Sequence, residues 1–198
     1  MDERSPDAHV TGRMQFHRMD DMTPSDFEVL REVHQENLQR LPDLLLSMLD
    51  LLGGDEAYPV DRRVHSLQAA TRALRDGRDE EYVVVALLHD ICETLGPLNH
   101  GDVIAAILKP FISEPNHWML EHHPLFQTYF YGTQVGVDPN GRDQFRDSPY
   151  FDRTAEFCAL YDEVSFDPEY ASEPIEVFVP MVHRVLNRTW TPPNAGQQ

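Results

Sequence analysis

Four histidines and two aspartates in this 198-residue chain are of the type and order that hold metal ions: His65, His89, Asp90, His100, His123 and Asp162. The His89-Asp90 pair ends the apolar run Ala86-Leu87-Leu88. Burying an ionisable pair there is costly unless something compensates its charge, and a metal ion is one such compensation. The others lie in similar settings. His65 precedes Leu67, Ala69 and Ala70, His100 opens a helical pattern, His123 ends the run from Trp118, and Asp162 closes Phe157 to Tyr161. Imidazoles mixed with carboxylates suit iron, manganese or zinc better than a thiolate-seeking or all-oxygen metal. Two ions held close together need a bridging carboxylate, and Asp90 is placed for that role.

The order His65, His89-Asp90, Asp162 resembles the H…HD…D signature of the HD superfamily. His100 and His123 resemble the extra pair that makes such a site binuclear. Separations of 24 positions from His65 to His89 and 23 from His100 to His123 resemble the mixed-valent diiron oxygenases of that superfamily, the group of myo-inositol oxygenase and the phosphonate-cleaving enzymes. The resemblance covers about residues 58–188. It implies an all-α, single-domain HD-type helical bundle. It implies that His65, His89 and Asp162 hold one iron and His100 and His123 the other, with Asp90 bridging. It also implies a four-electron, O2-dependent oxidation of a small hydroxylated substrate, with C–C cleavage or ring opening. His122 competes with His123 as ligand; the His-Pro-Leu-Phe run at 123–126 resembles the family's step after its ligand and favours His123.

Most HD proteins hydrolyse phosphate esters, so a phosphohydrolase acting on a nucleotide or phosphomonoester is the alternative, with Mn, Zn or Mg in place of iron. Such enzymes often hold phosphate with a basic residue just after the HD pair. Here the stretch reads Ile91-Cys92-Glu93-Thr94, and helix geometry aims neither Arg63 nor Lys109 at the metals. The oxygenase clamps are also replaced. Thr94 stands where inositol oxygenase has lysine, and Gln127 and Ala159 stand where the phosphonate oxygenases have lysine and arginine. Asp90, Thr94, Gln127 and Tyr58 are the candidate catalytic residues, Tyr58 as the contact of a lid formed by 55–61. Gln68, three places after His65, can share its helix face and orient a ligand. Tyr161 and Ser165 flank Asp162 as weaker candidates.

These residues must be positioned by helices. Thr23 to Asp26 reads as a helix start, Pro42 as a break, and Leu44 to Leu52 as a second helix ended by Gly53-Gly54. Helical patterns follow at 63–75, after Asp79, after Asn99 and after Ser113, then at roughly 150–164 and 174–188. Residues 132–149 read as a long surface loop, 1–22 as a flexible arm, 23–190 as one metal-binding domain and 191–198 as a flexible tail. No strand alternation appears.

Composition bounds the rest. There are 34 acidic against 16 basic side chains, a formal charge of −18. A surface that negative disfavours nucleic acid and anionic membranes as partners. The expected partners are a small-molecule substrate and O2. Two isolated cysteines fit a reducing, cytoplasmic setting, and neither a signal core nor a membrane-spanning run is seen.

Overall fold

A computed structural model describes residues 12–187. The tail expected at 191–198 and the first half of the expected arm lie outside the described residues. The chain divides into two compact units at Asp43/Leu44. Among the described residues every regular element is helical: α1 Pro24–Asp50, α2 Arg62–Arg75, α3 Glu80–Leu88, α4 His100–Leu108, α5 Glu114–Val135, α6 Phe151–Phe157 and α7 Ile175–Leu186, with a π-helical turn Cys158–Asp162 after α6. The all-α expectation is thus met.

In the first unit, Thr23 and Asp26 cap α1 reciprocally. The Asp26 amide donates to Thr23 Oγ1 at 3.3 Å, and the Thr23 amide donates to Asp26 Oδ2 at 2.9 Å. The Gln15 amide also donates to Asp26 Oδ1, which ties part of the expected arm to this helix start. Pro42 does not end the helix. It lies inside α1, which runs on to Asp50, so the predicted break at Pro42 is corrected. Proline removes one helical hydrogen bond, and a long helix survives that loss when its other bonds remain.

The second unit, from Leu44 onward, holds the core. In α3 every residue from Tyr82 to Leu88 is buried, so this helix is apolar all round and runs through the interior. Asp79 caps it by accepting from the Tyr82 amide at 3.0 Å, and Asp61 caps α2 by accepting from the Val64 amide at 2.8 Å. Packed against α3 are α2, α5 and α7, while α4 packs on α5. The 132–149 loop is shorter than expected. α5 continues to Val135 and ends at Gly136 in the left-handed conformation, φ 76°. A 3-10 turn, Gly141–Phe145, then covers much of the remaining segment.

Candidate metal centre

Apart from His65, each donor residue of the centre sits where a helix starts, ends or is interrupted by proline or a π turn. α3 stops at Leu88, and the chain turns at once. Neighbours on a continuing helix point about 100° apart; ending the helix here lets His89 and Asp90 face the same centre. His89 Nδ1 donates back to the Ala86 carbonyl at 2.8 Å. His123 precedes Pro124 inside α5. Proline has no N–H for the carbonyl four residues earlier, so the Leu120 oxygen is free to accept from His123 Nδ1 at 2.7 Å. His65 lies on α2, with Nδ1 3.1 Å from the Ser165 carbonyl. His100 is the first residue of α4. Asp162 ends the π turn, closed by the Glu163 amide donating to the Cys158 carbonyl. Such turns are frequent at functional sites.

The donor atoms converge on Asp90. Its Oδ2 lies 3.5 Å from His65 Nε2 and 3.2 Å from His89 Nε2. Those two nitrogens are 3.2 Å apart, and they lie 3.3 and 3.7 Å from Asp162 Oδ1. The other carboxylate oxygen, Oδ1, is 3.3 Å from His100 Nε2 and 3.3 Å from His123 Nε2. Those nitrogens are also 3.3 Å apart. Two donor sets therefore share one carboxylate.

Three of these imidazoles direct Nδ1 at a backbone carbonyl, so when neutral they carry their proton there and turn a bare Nε2 lone pair inward. Lone pairs at 3.2 Å repel unless a proton or a cation lies between them. The spacing suits a cation: donors about 2.0–2.2 Å from a tetrahedral ion lie about 3.3–3.6 Å from each other. The buried His/Asp groups of this unit could thus hold a metal ion.

In the metal-free centre a proton stands in for a cation: burial opposes a charged His89, but Asp90 and Asp162 outweigh it and raise it well above its usual value. Burial disfavours an ionised Asp90, but the charge of His89 and hydrogen bonds from His100, His123 and His89 outweigh it and hold the carboxyl well below its usual range. Asp162 is lowered too, where bonds from His65 and His89 overcome burial. Burial lowers His123 despite its bond to Asp90. A cation entering the centre would meet ionised carboxylates and displace the proton that His89 holds.

A cavity of about 560 Å³ opens on Asp90, His100, His123 and Asp162, a size suited to a small molecule. Tyr58, Arg62, Glu93, Gln127, Tyr131 and Phe166 also line its wall, with Pro59 and Pro124. Gln127 donates from Nε2 to Asp162 Oδ1 at 3.1 Å, while its Oε1 is buried without a partner. Tyr58 stacks on Phe166, which in turn stacks on His65 with centroids 4.2 Å apart.

No family model and no curated protein matches this chain.

The structure brings His65, His89, Asp90, His100, His123 and Asp162 together, with Gln127 and Tyr58 on the cavity wall. It does not bring Thr94 there. Thr94 is exposed and absent from the cavity wall, because α3 has already ended and position 94 falls in the turn beyond it. His122 is also elsewhere, stacked on Trp118 at 3.9 Å with Nδ1 on the Trp118 carbonyl. Gln68 directs its side-chain amide at the backbone of Asp167. Tyr161 binds Arg78 and Asp76 through its hydroxyl. Ser165 contributes its carbonyl to His65.

The residue missed is Arg62. Arg63 pairs with Asp50 at 2.8 Å and Lys109 is exposed, whereas Arg62 lines the cavity and pairs with Glu93 at 2.6 Å. Its signal was present: it lies three places before His65, one turn back on the same face of α2. Glu93 does face the cavity, but with this cation beside it.

Proposed function

We propose that the chain is an HD-superfamily oxygenase whose mixed-valent diiron centre uses O2 to oxidise a small hydroxylated substrate. Asp90 carries the reading, since its two oxygens face separate donor sets and can bridge two ions. When bound, redox-active iron would supply electrons to O2 and a Lewis-acid seat for a substrate oxygen.

The chain's own residues do the positioning. His65, His89 and His123 are aimed by their Nδ1 bonds, and Gln127 steadies Asp162. The rings of Tyr58 and Phe166 shield the His65 side from water. Among the described residues of the cavity wall, the one guanidinium, Arg62, is already matched by Glu93. That balance favours a neutral hydroxylated molecule over a phosphate ester, whose charge would meet Glu93 as well as Arg62.

Arg62 is also the observation that keeps a metal-dependent phosphohydrolase as the second reading, because a guanidinium is well suited to phosphate. The two are separated by loading the protein with iron without air, then following O2 uptake across small diols and other hydroxylated compounds. Phosphate release from nucleotides and phosphomonoesters is followed in parallel. Substrate-dependent O2 uptake without phosphate release is expected. Phosphate release with zinc or magnesium, and no O2 uptake with any compound, would overturn the oxygenase reading.

A further inference from the structure

Gln68 is buried on α2, and its side-chain amide is used at both ends by one backbone residue. Nε2 donates to the Asp167 carbonyl at 2.7 Å, and Oε1 accepts from the Asp167 amide at 3.2 Å. This reciprocal clamp joins positions 99 apart in sequence. The clamped segment is the one that aims His65. Two residues before Asp167, the Ser165 carbonyl lies 3.1 Å from His65 Nδ1. One residue before it, the Phe166 ring lies on the His65 imidazole, centroids 4.2 Å apart and planes 22° apart. Ser165 is itself buried, and its hydroxyl donates to the Tyr161 carbonyl at the end of the Asp162 turn. Gln68 lies three residues after His65, so one helical turn carries both the donor and the side chain that fixes its support.

We infer that Gln68 is a positioning residue for the half of the centre formed by His65, His89 and Asp162. It sets the tautomer and ring plane of His65 through segment 165–167, both ends of its amide being bonded to Asp167. The inference rests on the metal-centre reading. It predicts a selective defect: residues that orient a ligand through its other nitrogen typically change metal affinity about ten- to a hundredfold. The pair His100 and His123, which the clamp does not reach, keeps its affinity.

The test is titration of the metal-free full chain with Co2+, followed by visible absorption and calorimetry. The variants are Gln68→Glu, which keeps the acceptor and loses the donor, and Ser66→Ala as a control on the same helix. The parent is expected to bind two ions. Gln68→Glu should bind one with parental affinity and the other about ten- to a hundredfold more weakly, while Ser66→Ala matches the parent. Equal affinity for both ions in parent and Gln68→Glu overturns the inference, as does an equal loss at both. A parent that binds no ion overturns the metal-centre reading and the inference with it. A second measurement needs no variant. Hydrogen exchange of the Asp167 amide in the parent is expected to slow when Co2+ is added, and an unchanged rate contradicts the clamp's coupling to the centre.

Discussion

Asp90 is the residue on which the centre turns, because each of its oxygens sits about equally far from a different pair of imidazole nitrogens. Adjacent histidines supply the sharpest contrast. His123→Ala removes one of the two imidazoles beside Asp90 Oδ1 and is expected to abolish binding of one ion. His122→Ala removes a ring stacked on Trp118 and is expected to cost about 1 kcal/mol of stability with metal stoichiometry unchanged. Metal analysis of the two variants checks this, and loss of an ion on replacing His122 alone would reverse the assignment. At this scale the sequence was informative, since donor types, order and apolar settings need no coordinates. What it hid were pairwise relations. Arg62 lies one turn before His65, away from the stretch after the HD pair where a phosphate-holding cation is expected. Thr94 matches the family's lysine only in position, because the chain leaves the helix before reaching it.

The centre depends on how closely α4 approaches α5. Gly101, next to His100, allows it: a Cβ there would lie 2.8 Å from Pro124 Cγ and 2.9 Å from the Leu120 carbonyl oxygen. Leu120 is also the acceptor for His123. Gly101→Ala is therefore expected to push the two helices apart, costing about 1–3 kcal/mol and weakening the ion between His100 and His123. Thermal unfolding with and without metal measures both effects; a variant with parental stability and full loading would show that the contact is slack. Helix existence was legible from capping residues and apolar spacing, as with Asp79 and Thr23, whereas the Asp61 cap of α2 was hidden in a stretch that reads as loop. Proline was the misleading signal. Pro42 and Pro124 both lie inside helices, and at Pro124 the missing N–H frees the carbonyl that aims His123. The π turn before Asp162 had no sequence signal, because an extra residue in one turn leaves composition and rough periodicity unchanged.

For the whole molecule, the centre links stability to pH. In the metal-free protein, Asp90 and Asp162 are lowered, so their contribution is present above the ordinary carboxylate value near 4 and is lost as pH falls through their folded values. His123 is lowered by burial, which also removes stability as pH drops below about 6.5. His89 is shifted the other way. Burial opposes its charge, but Asp90 and Asp162 outweigh it, so its contribution is full below about 6.5 and is lost as pH climbs through its raised value. Urea unfolding of the metal-free protein should therefore show greatest stability near neutrality and decline on both sides. A steady rise from pH 6.5 to 9 would contradict this. Metal should remove the alkaline decline, since a bound cation takes the place of the proton.

The formal charge of −18 is partly offset when such cations bind. The most direct test of the centre is iron content per chain after loading without air, in the parent and in Asp90→Ala. Two irons per parent chain with a mixed-valent signal, and loss of both from Asp90→Ala, are predicted. A parent holding a single ion, or an Asp90→Ala variant that keeps two, would contradict a carboxylate-bridged pair.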